Sequence, residues 1–129
     1  MKSDFYRFRL GEFECVCLLD GTMDYPIQNI YSNVPREQVE KALRQHHLPV
    51  EFVTTPYTYP WVDTGQHRVL VDDGAGDLGP KTGNLLHSMQ SAGISPHDID
   101  AVIISHAHPD HIGGTLDERG RPIYSNAHY

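Results

Sequence analysis

Polar and apolar residues interleave along FYRFRLGEFECVCLLDGTM (5–23) in short runs broken by turn formers. The stretch reads as a hairpin: strand 5–10, a turn at Gly11-Glu12, strand 13–19 and a second turn at Asp20-Gly21. Residues 24–33 keep no period and are expected as loop. NVPREQVEKALRQHH then turns to helix formers, with Asn33 as candidate cap, a proline in the first turn and an end at His47, before Pro49 forces the chain out. VEFVTTPYTYPWVDTGQHRVLV predicts a short extended piece near 50–54, a strand at 57–63, a turn at Thr64-Gly65 and a buried strand at 68–72.

A glycine-rich loop, Gly74 to Gly79, leads into KTGNLLHSMQSAG. There Leu85, Leu86, Met89 and Ala92 line one side of a helix over 81–92, and Gly93 stops it. HDIDAVIIS ends in a buried strand, 101–105. Strand, helix and strand in this order form a βαβ unit with parallel strands and a right-handed crossover. Sites in open α/β sheets form outside the carboxyl ends of strands, so the residues after both strands share one rim. RPIYSNAHY begins a further strand.

Composition narrows the class. The 129 residues are 39% hydrophobic and 21% charged, which suits one globular domain. The net charge of −7 disfavours a nucleic-acid partner and helps to hold a divalent cation. The longest clean apolar run, Ala101 to Ile104, is far short of the roughly 20 residues of a membrane span. The start, Met1-Lys2-Ser3-Asp4, carries an acid where a secretory leader would be apolar, and a cytoplasmic protein is expected. Cys15 and Cys17 are too close for an unstrained disulfide; they are expected as buried free thiols rather than a Cys-x-Cys metal site.

The chemistry concentrates in SHAHPDHIGG, residues 105–114. Random placement of nine histidines and eleven aspartates in 129 residues yields His-x-His-x-Asp-His with a chance of roughly 0.4%. In an extended segment His106 and His108 point the same way. Pro109 disfavours helix at His108 but suits a first helical turn, which carries Asp110 and His111 back toward the strand end. Gly113 and Gly114 remove bulk where backbone must pass closely. Four ligand-type residues directly after a buried strand fit a divalent metal better than structural histidines or a histidine switch. Zinc is the default for imidazole plus carboxylate, and iron, manganese or cobalt also fit.

VIISHAHPDHIGG resembles the metal loop of the metallo-β-lactamase superfamily, with its Thr/Ser-His-x-His-x-Asp-His signature. RVLVDDGAG is similar to the preceding Val-Asp-Thr-Gly strand and turn, and the similarity runs from about residue 12 to the end. GEFECVCLLDGTM and GAGDLGPKTGNLL most resemble the branch of acyl-homoserine-lactone lactonases and methyl-parathion-type hydrolases. The resemblance implies an αββα sandwich holding two divalent metal ions. By position, His106 and His108 would bind the first and Asp110 and His111 the second, with Asp72 and Ser105 behind the ligands. A metal-bridging hydroxide would attack a small ester, lactone or organophosphate, and Asp110 would also orient the nucleophile or shuttle a proton. His108, in place of a glutamate, separates the motif from the diiron redox branch.

Two departures qualify this. Asp73 stands where the family usually has threonine. The family also completes its site with a histidine, a bridging aspartate and a final histidine downstream, whereas Tyr129 is 18 residues after His111. None of His46, His47, His67, His87, His97 or His128 is placed to substitute. Residues 1–129 are therefore expected as the N-terminal half of the fold, with an uncovered sheet edge that pairs in a homo-oligomer or with a complementing C-terminal half. The alternatives are a non-catalytic metal-binding half-domain and a glyoxalase-II-like thioesterase. TTPYTYPWVDTG is expected as an edge segment packed on the core rather than a pocket wall. DDGAGDLG lacks Gly-Lys-Ser/Thr and is no phosphate cradle.

Overall fold

The computed structural model describes residues 4–129; the Met1-Lys2-Ser3 start, read above against a leader peptide, lies outside them. Strands β1 (Phe5–Leu10) and β2 (Phe13–Pro26) form the expected hairpin, in a register running from Phe5 opposite Leu18 to Leu10 opposite Phe13. With β3 (Phe52–Asp63), β4 (Arg68–Val71) and β5 (Ala101–Ile103) they make one mixed sheet in the order β1-β2-β3-β4-β5. β3 and β4 are antiparallel, while β4 and β5 are parallel with Leu70 opposite Val102. The crossover between them carries α3 (Leu85–Ser91), as the βαβ reading requires.

Several boundaries differ from the sequence pattern. Asp20-Gly21 is not a turn: β2 runs through it to Pro26. The Asp20 side chain is buried, and a Cβ on Gly21 would lie 1.9 Å from the Lys81 carbonyl oxygen, so this pair serves close packing. The expected loop at 24–33 contains a short helix, α1 (Ile27–Ile30). Helix α2 (Arg36–Gln45) begins after Pro35 without a side-chain cap, and Asn33 plays no part in starting it. The pieces at 50–54 and 57–63 fuse into β3, because Tyr57, Tyr59 and Trp61 are buried in strict alternation with exposed Pro56, Thr58 and Pro60. β3 is internal, so the expectation of an edge segment is corrected. Its pairing with β4 begins only at Trp61, past Pro60, so neither proline interrupts that ladder. The helix over 81–92 shortens to α3, its first turn replaced by irregular backbone. The final segment contributes isolated bridges, His128 parallel with Ala101 and Pro122 antiparallel with Leu116, rather than a strand.

The core is built from Val16, Leu18, Leu70, Met89, Ile99, Val102 and Tyr124, each at most 2% exposed. Cys15 is buried and Cys17 partly so, and both are free thiols as expected. The chain clusters into two compact units, one comprising the described part of 1–21 with 56–129, the other 22–55. The first holds the histidine motif. The second contains α1 and α2. Among the described residues no helix is long and apolar enough to cross a membrane.

Candidate metal centre

The rim forms as the strand directions require. β4 ends at Val71, and Asp72 turns the chain with φ of 59°, a left-handed conformation that aspartate tolerates better than bulkier residues. Its backbone N–H still continues the ladder, donating to Ile103 at 2.8 Å. β5 ends at Ile103, and His108 adopts extended φ and ψ of −74° and 151° before α4 (Pro109–Ile112), with proline in the first turn. Gly113 and Gly114 behave as the pattern predicts. A Cβ on Gly113 would meet Ala75 backbone at 2.5 Å, and one on Gly114 would meet the Asp73 carbonyl at 1.9 Å.

His106, His108, Asp110, His111, Ser105 and Asp72 come together. Ser105, His106 and His108 are exposed, Asp110 and His111 half-buried, and Asp72 buried. The His106 ring centroid lies 4.6 Å from that of His108 and 3.9 Å from that of His111. Asp72 organises the cluster: Oδ1 accepts the Ser105 amide at 2.7 Å, while Oδ2 accepts the Ser105 hydroxyl at 2.8 Å and Nδ1 of His111 at 2.6 Å. Burial alone would raise the Asp72 pKa. The bonds from the Ser105 amide, the His111 ring and the Ser105 hydroxyl outweigh it and hold the carboxyl below the ordinary aspartate value.

These partners fix the tautomers. The Ser105 hydroxyl gives its proton to Asp72, so it accepts from Nδ1 of His106 at 3.0 Å, leaving the His106 lone pair on Nε2. That atom lies 3.0 Å from Nδ1 of His108. His111 commits its Nδ1–H to Asp72, so in the neutral ring its Nε2 lone pair faces Oδ2 of Asp110 at 3.2 Å. Two acceptors at that distance repel unless a proton or a cation lies between them. The donors therefore form two pairs, His106 with His108 and Asp110 with His111. Serine or carboxylate holds the rear nitrogens of His106 and His111, the usual arrangement behind metal-ligating imidazoles. Donor chemistry and pairing fit divalent cations, but each pair offers two donors. Among the described residues no group of three His, Cys, Asp or Glu is placed to hold an ion.

Three supporting residues escaped the sequence reading. The Tyr59 hydroxyl donates to the backbone carbonyl of Asp110, anchoring the first turn of α4. Burial, with the charges of Asp20 and Asp110, raises its pKa far above the ordinary tyrosine value and keeps it a donor. The period-two run Tyr57, Tyr59, Trp61 was the available signal. Buried Asp20 accepts the amides of Ala75 (3.2 Å), Gly83 (3.1 Å) and Leu85 (2.7 Å), tying down the glycine loop whose Gly74 carbonyl accepts from Gly113 at 2.8 Å. Thr115 bonds Asp73 at 2.6 Å, a contact no sequence pattern announces. A cavity of about 660 Å³ lies beside Asp20, Asp73 and Gly114. None of the motif histidines and none of the aromatic residues of β3 lines it.

Residues 55–128 match the model of the Metallo-beta-lactamase superfamily. The chain belongs to that superfamily. Among solved structures it is similar to AidC, a dizinc quorum-quenching lactonase in complex with a product, at 32% identity and a TM-score of 0.93, over 97% of this chain and 43% of that one. It is also similar to the hydrolase AbOPH of the beta lactamase superfamily, at 28% identity and a TM-score of 0.91, over 98% of this chain and 44% of that one. A quorum-quenching N-acyl homoserine lactone lactonase shares the fold at 19% identity and a TM-score of 0.57, over 88% of this chain and 42% of that one. Among curated proteins none matches. The superfamily and its mixed α/β fold are as the motif led us to expect, and the neighbours are hydrolases. The chain spans under half the length of these relatives.

Proposed function

We propose that the protein is the N-terminal half of a metal-dependent hydrolase that acts on a small ester, lactone or organophosphate. The observation that carries this reading is the convergence of His111 Nε2 on Asp110 Oδ2 at 3.2 Å while Nδ1 is held by Asp72 at 2.6 Å, which aims an imidazole nitrogen and a carboxylate oxygen at one point where a cation or a proton binds. His106 and His108 would hold one divalent ion, and Asp110 and His111 the other, with zinc the first choice given the dizinc lactonase neighbour. Such ions, when bound, supply Lewis acidity and acidify water. The chain's own residues do the rest. Ser105 and Asp72 keep the His106 and His111 lone pairs aimed at the rim, Tyr59 fixes the turn that carries Asp110, and the free carboxylate oxygen of Asp110 is available to orient a nucleophile or take its proton.

Two donors per ion fall short of the three usual at a catalytic zinc, which favours a second component to the reading: the remaining donors come from a complementing C-terminal half or a second copy. Exposed Ile103, Leu116 and Tyr129, the first on β5 itself and the others on the segment that follows the motif, provide apolar surface for it. Zinc content and native mass, measured together with turnover of an N-acyl homoserine lactone, a phosphotriester, an aryl ester and a thioester, test the proposal. Lactone or phosphotriester hydrolysis that tracks zinc supports it. Preferential thioester turnover favours the glyoxalase-II-like alternative. Zinc binding without turnover in any assembly favours the non-catalytic half-domain.

A further inference from the structure

Asp73 has no place in the ligand set, yet it is fully buried. Its contacts all reach the same short segment. The backbone N–H donates to the His111 carbonyl at 3.0 Å, Oδ1 accepts the Gly114 amide at 3.1 Å, and Oδ2 accepts the Thr115 hydroxyl at 2.6 Å. The Asp73 carbonyl packs so closely on Gly114 that no side chain fits there. Helix α4 is one turn long and cannot fix its own orientation by internal hydrogen bonds. Tyr59 holds the turn at Asp110, and Asp73 holds its exit at Gly114 and Thr115. A threonine hydroxyl offers one acceptor oxygen at this position, whereas a carboxylate takes the amide and the hydroxyl on separate oxygens.

We propose that Asp73 is a positioning residue for the Asp110–His111 donor pair, setting the rotation of α4 and leaving the His106–His108 pair to its own supports. The separation follows from geometry. His106 and His108 precede α4 in extended backbone, and His106 takes its bearing from Ser105, whereas Asp110 and His111 lie on the turn that Asp73 clamps. The inference rests on the metal-centre reading, and its test is arranged so that the two fail separately.

The experiment follows the histidine ring resonances of the full chain by nitrogen-resolved NMR, first without metal and then through a zinc titration, for the wild type, Asp73→Asn, Thr115→Val and Asp73→Thr. Without metal, Asp73→Asn is expected to displace or broaden the His111 ring signals more than those of His108. Thr115→Val, which removes one of the two side-chain bonds, should do the same to a smaller degree and keeps the test alive if Asp73→Asn does not fold. In the titration the His111 midpoint should rise about tenfold or more, within the range typical of lost supporting contacts. The His108 midpoint should stay within about twofold, and Asp73→Thr, which like Asp73→Asn keeps one acceptor oxygen for two donors, should show a rise of similar size. Equal displacement of all three histidines, or an unmoved His111, overturns the positioning role. A wild type that takes up no zinc counts against the metal-centre reading, and the metal-free spectra then still decide for or against Asp73.

Discussion

Nδ1 of His111 lies 2.6 Å from Oδ2 of Asp72, and this contact joins the loops that leave the two parallel strands of the βαβ unit. Asp72 follows β4 and His111 sits on the turn after β5, so neither strand alone determines where the imidazole points. The same carboxylate takes both the amide and the hydroxyl of Ser105, which in turn supports His106. One buried acid thus orients two of the three imidazoles.

Asp72→Asn should therefore weaken zinc binding by about tenfold to a hundredfold without unfolding the chain, since the amide cannot accept as many donors as the carboxylate. Competition with a chromophoric chelator reads the affinity directly. An unchanged value would mean that the imidazoles are aimed by something else.

His106→Ala and His108→Ala each remove one member of the first donor pair. Both are expected to lower bound zinc, measured by elemental analysis, and to abolish any hydrolysis. Full metal occupancy in either variant contradicts the ligand assignment.

Tyr59→Phe deletes the hydroxyl that holds the Asp110 carbonyl and keeps the ring that packs in β3. The expected cost is about 1 kcal/mol of folding stability, the net worth of one hydrogen bond, seen as a shift of the denaturation midpoint at unchanged slope. A loss of about 4 kcal/mol or more would point to a packing role instead.

Asp20→Ala leaves three amide donors, of Ala75, Gly83 and Leu85, without their acceptor. At about 1–3 kcal/mol for each unsatisfied buried group, a loss of about 3 kcal/mol or more is expected in denaturant titration. A change below about 1 kcal/mol would show that the glycine loop is held by its own turns.

Acid should open the turn at 117–121. The Arg121 amide and guanidinium, with help from the Arg119 amide, hold the Asp117 carboxyl below its ordinary value. A depressed carboxyl stabilises the fold above the unfolded-state value of about 3.9, and the contribution is lost as pH falls through the lower folded-state value. Amide exchange at Arg119 and Arg121, corrected for intrinsic rates, should lose protection in that acid window in the wild type. In Asp117→Asn it should show no such pH dependence.

The sequence alone determined the chemistry and the frame that presents it. His-x-His-x-Asp-His specified which candidate donors gather at the rim, although the strand before it is shorter than the pattern suggested, Ala101–Ile103, and only Val102 of it is buried. Pro109 specified the turn after His108, and the strand–helix–strand order specified the rim, because these depend on local period, proline geometry and the handedness of a crossover. What the tertiary structure decided is how those side chains are held. Asp20-Gly21 has the composition of a turn, yet the segment stays in β2, because the glycine lets Lys81 approach and the buried acid satisfies amides 55 to 65 residues away. Tyr59, Asp73 and Thr115 likewise acquire their roles only from partners distant in sequence. Local pattern carries no record of which buried donor meets which acceptor, since that pairing is settled only when the layers pack and every buried polar group must find a partner.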